Sequence, residues 1–150
     1  MIVGIDPGIS GALVCLHDGI PFDWMLMPSV SIGSASRVVG GDIAEWLTEI
    51  QPTMVYIEAV HSMPKQGVVS TFNFGHATGV VTGVVQSLGL NYKLVNPTVW
   101  KRRAGIIGQG KDASRKRAQE LWWHWSALNT KAKGQAFADA ALIARFGEKQ

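Results

Sequence analysis

The 150-residue chain predicts one α/β domain built on a mixed five-stranded sheet with helices on its flanks. Short apolar runs of strand length open the chain and return near residues 54 and 92. The first is followed by two more strand-like runs punctuated by turn residues, which reads as an antiparallel meander. Helical patterns then separate the later runs, the arrangement that puts parallel strands into one sheet.

Taken in order, Met1 to Asp6 is the first strand, closed by the turn residues Pro7, Gly8 and Gly11. Gly11 to His17 and Phe22 to Met27 follow, joined by the turn His17-Asp18-Gly19-Ile20. Val39, Ile43, Trp46, Leu47 and Ile50 recur at helical spacing, predicting a helix over Ser36 to Ile50 with Pro52 just beyond it. Met54 to Glu58 is a fourth strand. Gly75 to Leu88 predicts a second helix with small residues on one face, and Tyr92 to Val95 a fifth strand. Asn96-Pro97 then turns the chain into a basic region and the final helices. Trp122, Trp123 and Trp125 close an amphipathic segment, and packing against the sheet is their expected role.

A hydrophobic content of 47% is enough for a sizeable core. The single cysteine, Cys15, excludes an internal disulfide, and no zinc cluster or secretory signal is visible, so a reducing cytoplasm is the expected location. No apolar run reads as transmembrane, and no membrane partner is expected. Basic charge is concentrated: Lys101, Arg102, Arg103, Lys111, Arg115, Lys116 and Arg117 stand against one acid, Asp112, while acids outnumber bases over the rest of the chain. Such a stretch fits a phosphate backbone, and Gly105, Gly108 and Gly110 leave its main chain able to approach one. The spacing is not that of a P-loop.

Three carboxylates stand out. Asp6 and Glu58 each end a strand-like run, so two rigid strands can present acids at one sheet edge. Singly, Asp6 suits a turn and Glu58 an exposed strand end. Asp139 lies in a helix whose positions i−3, i+1 and i+4 are Ala136, Ala140 and Ile143, a face too apolar for a solvent-facing acid, so it needs a partner to offset desolvation. Mg²⁺ is such a partner, and the three acids together read as a divalent-metal site for cutting phosphodiesters.

Gly4-Ile5-Asp6-Pro7-Gly8, Ile57-Glu58, Gly75-His76-Ala77-Thr78-Gly79, Asn96-Pro97 with Lys101, and Ala138-Asp139-Ala140, in this order, resemble the RuvC family of Holliday junction resolvases. Gln66-Gly67 and Lys111-Asp112-Ala113-Ser114-Arg115 are similar to its phage and prophage branch. The resemblance implies an RNase H-like fold, a homodimer, and Mg²⁺- or Mn²⁺-dependent endonucleolytic cleavage of four-way and related branched DNA, including forks and flaps, in a bacterial or phage-infected cytoplasm. It implies that Asp6, Glu58 and Asp139 hold two ions about 4 Å apart, leaving 5′-phosphate ends, with Lys101 and Lys111 catalytic beside the scissile phosphate. Asp6 and Asp139 would serve water activation, and Asp6 and Glu58 the departing 3′ oxygen. Arg102, Arg103 and Arg115 would contact DNA, as would His61, three residues past Glu58. Phe72 and Phe74 would stack on bases at the junction centre, unless they start the next helix and bury in the core or the dimer contact.

One position departs from the family pattern. An acid or histidine is usual one helical turn before the last carboxylate, and Gln135 and Ala136 stand there. Gln135 offers a neutral oxygen to a metal but cannot act as a base, so either a weakened second ion site or a junction-binding factor that cuts slowly is expected. Asp6-Pro7-Gly8 is also similar to the phosphate-binding start of actin-like sugar kinases and ATPases. A chain of 150 residues is short for their two lobes and shows no adenine-site signature, so no nucleotide cofactor is expected.

Overall fold

The computed structural model describes residues 1–59 and 67–147. Strands β1 (Ile2–Ile5), β2 (Ala12–His17) and β3 (Ile20–Leu26) form the expected meander. Between β2 and β3, Asp18 (φ 51°) and Gly19 (φ 78°) both take left-handed backbone, as a tight two-residue hairpin requires. A small hairpin, β4 (Ser29–Ile32) and β5 (Ala35–Val38), precedes helix α1 (Gly40–Ile50). Then come β6 (Met54–Glu58), α2 (Val68–Ser87), β7 (Tyr92–Val95), α3 (Pro97–Ala104), α4 (Ala113–Leu121), a short 3-10 turn (Ser126–Asn129) and α5 (Lys131–Gly147). The main sheet has the order β3-β2-β1-β6-β7. β2 runs antiparallel to β1, and β6 and β7 are parallel to it and to each other.

Side chains alternate across this sheet as strand geometry dictates. Val3, Ile5, Leu13, Cys15, Val55 and Ile57 face α1 and α2, where Ile43, Trp46, Leu47, Ala77, Val81 and Val85 complete one core. Ala12, Val14, Leu16 and Tyr56 face α5, whose Ala140, Ala141, Leu142 and Ala144 anchor the second. The sheet is therefore sandwiched, and α5 lies directly on the strands that bear the acids.

Three expectations need correction. The first helix begins at Gly40 rather than Ser36, because Ala35 to Val38 pair with Ser29 to Ile32 around Gly33 (φ 61°), a hairpin hidden by the helical spacing of Val39. The second helix begins at Val68, seven residues early, through a Val-, Ser- and Thr-rich stretch whose weak helix propensity masked it. That extension makes α2 20 residues long and apolar enough, by length and composition alone, to cross a membrane, although no apolar run of the sequence reads as transmembrane. The tryptophans divide: Trp122 and Trp125 are buried and pack edge-to-face with each other and, through Trp125, with Trp24 of β3, but Trp123 is 75% exposed.

Candidate active site

Register brings Asp6 and Glu58 together. Ile5 pairs with Ile57, so the next residues, Asp6 and Glu58, leave adjacent parallel strands at the same sheet edge. By the two-residue alternation Asp6 shares a face with Gly4, and Glu58 with Tyr56, and this is the face that α5 covers. Gly4 lets the helix come that close. A Cβ there would collide with the Ala140 carbonyl and lie 2.5 Å from Ala144 N. Asp139, the neighbour of Ala140, is thereby set beside the strand ends.

Each acid is held locally. Asp6 N donates to the Ala12 carbonyl at 3.0 Å, and its Oδ1 accepts from Gly8 N at 3.3 Å in the turn that follows. Gly11 closes that turn, and a Cβ on it would lie 2.9 Å from Asp6 Cγ. Glu58 Oε1 accepts from Trp100 Nε1 at 2.9 Å. Asp139 accepts from Gln135 Nε2, at 3.3 and 3.2 Å to its two oxygens, and from the Ser114 hydroxyl. Burial pushes the Asp6 carboxyl up to about 7, reinforced by repulsion from Glu58 and Asp139 and opposed by the Gly8 hydrogen bond and Lys101. Burial also raises Glu58, offset by the Trp100 hydrogen bond and Lys101, and raises Asp139, offset by Ser114, Gln135 and Lys101. All three acids thus resist ionisation in the protein alone, and Lys101 is the cation each of them feels.

A cleft of about 540 Å³ lies beside Asp139, lined in part by Lys101, Lys111, Ser114 and Gln135. Gly108 (φ 75°) and Gly110 also line it, so the glycine-rich loop and Lys111 share a cleft with Asp139. The arginines are placed differently. Arg102 and Arg103 are exposed, and Arg103 donates to the Phe146 carbonyl at 2.9 Å. Arg115 is tied to both Asp112 oxygens, at 2.8 and 3.0 Å, and to the Leu128 carbonyl at 3.3 Å, which occupies its guanidinium with structural bonds. Phe72 and Phe74 lie inside α2. Phe72 is 62% exposed, outside the core, with the Arg37 guanidinium 5.8 Å from its ring centre. Phe74 is half-buried near the Asp6 turn, where a Cβ on Gly8 would lie 3.5 Å from its ring. His61 lies outside the described residues.

Sequence reasoning passed over Trp100 and Ser114. The signal for Trp100 is a tryptophan in the first turn of a helix capped by Asn96-Pro97, next to Lys101. Ser114 sits within a basic run and is buried, a placement that composition does not disclose.

The donor set suits a hard divalent cation: carboxylate oxygens on converging elements, plus Gln135 Oε1, which is buried without a hydrogen-bond partner. Among the described residues no three acidic, histidine or cysteine side chains close into a ready cage.

No protein-family model matches the chain, and no curated protein matches it in sequence. Solved structures do. The chain is similar to T. thermophilus RuvC in complex with Holliday junction substrate, with a TM-score of 0.69 and 17% identity over 97% of this chain and 90% of that one. It is likewise similar to a second Thermus thermophilus RuvC structure, with a TM-score of 0.61 and 17% identity over 97% of this chain and 91% of that one. The architecture is an RNase H-like α/β fold.

Proposed function

We propose that the protein is a metal-dependent endonuclease of branched DNA, with four-way junctions as its principal substrate. The observation that carries this reading is the convergence of Asp6, Glu58 and Asp139 at one sheet edge within the field of Lys101. Likeness in fold to a protein seen on a Holliday junction adds support.

In this reading Asp6, Glu58 and Asp139 hold Mg²⁺ or Mn²⁺ together with a phosphate of the scissile strand. When bound, a pair of such ions activates the attacking water and stabilises the departing 3′ oxygen, leaving a 5′-phosphate. The protein supplies orientation and charge around that chemistry. The Gly8 amide fixes Asp6, the Trp100 indole fixes Glu58, and Gln135 with Ser114 fixes Asp139. Lys101 and Lys111, both lining the cleft, offset phosphate charge as it builds in the transition state. Arg102, exposed on α3, is placed to track the DNA backbone beyond the cut, while Arg103 keeps its bond to the Phe146 carbonyl.

Two opposed cuts require two sites, and a symmetric pair of chains delivers them. The surface that suits the pairing is α2, where Val68 is 85% exposed, Val69 73% and Phe72 62%, and where Gly75, Gly79 and Gly83 leave open space for a second backbone. The test is cleavage of a labelled four-way junction in Mg²⁺ and in Mn²⁺, beside Asp6→Asn and a binding assay in EDTA. Paired symmetric nicks that vanish in the variant support the reading; tight binding without nicks in either metal overturns it.

A second reading has its own observation. Gln135 stands one helical turn before Asp139 with a neutral amide, so the second ion site has fewer charges than three converging acids plus a fourth would give it. A junction-binding factor with weak cutting is the alternative outcome of the same assay.

A further inference from the structure

We propose that Trp100 is a positioning residue of this site: its indole edge fixes Glu58 and its ring face seats Lys101. The inference rests on the metal-site reading above and adds a residue to it.

Trp100 is fully buried in α3, a helix whose start is fixed by Asn96 Oδ1 accepting from Thr98 N at 2.9 Å and by Pro97 in its first turn. Leucine or phenylalanine would be apolar there and bring no polar atom into the core. An indole brings one, and a buried N–H is costly unless it finds an acceptor. Here the acceptor is Glu58 Oε1, 2.9 Å away. One Glu58 oxygen is therefore engaged by the protein, and Oε2 is the oxygen left for an ion. The face of the same ring lies 5.2 Å from Lys101 Nζ, within reach of a cation–π contact. Successive residues of one short helix thus set an acid and a cation relative to each other through a single rigid ring.

Trp122 provides an internal comparison. It is also buried, and its Nε1 donates at 2.9 Å, but to the Gly19 carbonyl in the β2–β3 turn, at the opposite end of the strands from Asp6. Trp100→Phe and Trp122→Phe remove the same kind of hydrogen bond with the same substitution, so a general loss of packing acts on both.

The experiment is calorimetric titration of metal-free wild type, Trp100→Phe and Trp122→Phe with Mn²⁺, with thermal melts of each. Partners that orient a metal ligand typically contribute about 10- to 100-fold in affinity. Trp100→Phe is expected to bind Mn²⁺ more weakly by that factor and Trp122→Phe to match wild type. A folded Trp100→Phe with wild-type affinity overturns the inference, as does an equal loss in both variants. Indole ¹⁵N–¹H spectra of Glu58→Gln give a second, independent reading. The Trp100 resonance is expected to shift while that of Trp122 stays, and an unmoved Trp100 signal overturns the clamp even if Trp100→Phe does not fold. Absence of Mn²⁺ binding by wild type would remove the metal site itself, and the Glu58→Gln spectrum would still decide whether Trp100 holds Glu58.

Discussion

Gln135 reaches across one helical turn to Asp139, donating from Nε2 to both carboxylate oxygens while its own Oε1 is buried without a partner. The amide therefore orients the acid but lends it no charge. Gln135→Glu replaces that donor with a fourth carboxylate. Without metal at pH 8 the new like-charge pair lowers stability by about 1 kcal/mol or more. With Mg²⁺ the concentration needed for half-maximal nicking is expected to fall roughly tenfold, about the effect of one good ligand-supporting contact. Metal-dependence curves for nicking by the two proteins check this, and an unchanged or higher requirement would mean that Gln135 does not limit ion binding.

Asp6 makes stability pH-dependent in a defined direction. Its carboxyl is raised from 3.8 to about 7, chiefly by burial, so the native state favours the protonated form. That contribution is complete below the unfolded value and is lost as pH rises through 7. Metal-free wild type should therefore lose stability between pH 5 and pH 8, and Asp6→Asn should lose less. At pH 8 the variant is expected to be the more stable by roughly 1 to 3 kcal/mol, read by urea unfolding in EDTA, while its nicking is abolished. Mn²⁺ should raise the wild-type melting temperature at pH 8 and leave that of the variant nearly unchanged.

Gly4 sets the distance between the sheet and α5. Alanine there meets helix backbone, which cannot rotate away, so Gly4→Ala is expected to cost about 2 to 3 kcal/mol through forced displacement of α5. Guanidinium unfolding measures this. Because the displaced segment includes Asp139, nicking should fall even at temperatures where the variant remains folded.

Lys101 and Lys111 share the cleft but differ in setting, Lys101 half-buried among the acids and Lys111 exposed on the loop. Lys101→Met is expected to reduce the nicking rate about 100-fold or more with little change in junction affinity. Lys111→Met should weaken binding as well and reduce its salt slope by about 1. Single-turnover rates and binding isotherms over a range of KCl concentrations separate the two.

Much of this arrangement was legible in the chain. Asp6 and Glu58 were readable because each closes a run of strand-forming residues, and strand ends have few places to go in a parallel sheet. Asp139 was readable because its apolar helical neighbours left it no solvent. The hairpin at Ser29 to Val38 was not, since its side chains are largely exposed and offer no burial pattern, and Val39 extends the helical spacing of α1 backwards into it. The early start of α2 was hidden for the opposite reason: Val68 to Thr71 are poor helix formers held in a helix whose exposed side gives no amphipathic signal. Trp100 and Ser114 act through contacts with residues distant in the chain, Glu58 and Asp139, and no local pattern encodes such pairs. Arg115 shows the converse. Its charge was visible, but its engagement by Asp112 and Leu128 was not.

The docking of α5 on Gly4 also governs when the site can exist. Asp6 emerges from the ribosome early and Glu58 some fifty residues later, but the third acid travels on a helix beginning at Lys131 that must fold back across β1 and β2. A chain that has paired β1 with β2 still lacks the third acid. The three acids can therefore meet only when the late helix settles on a glycine laid down almost at the start.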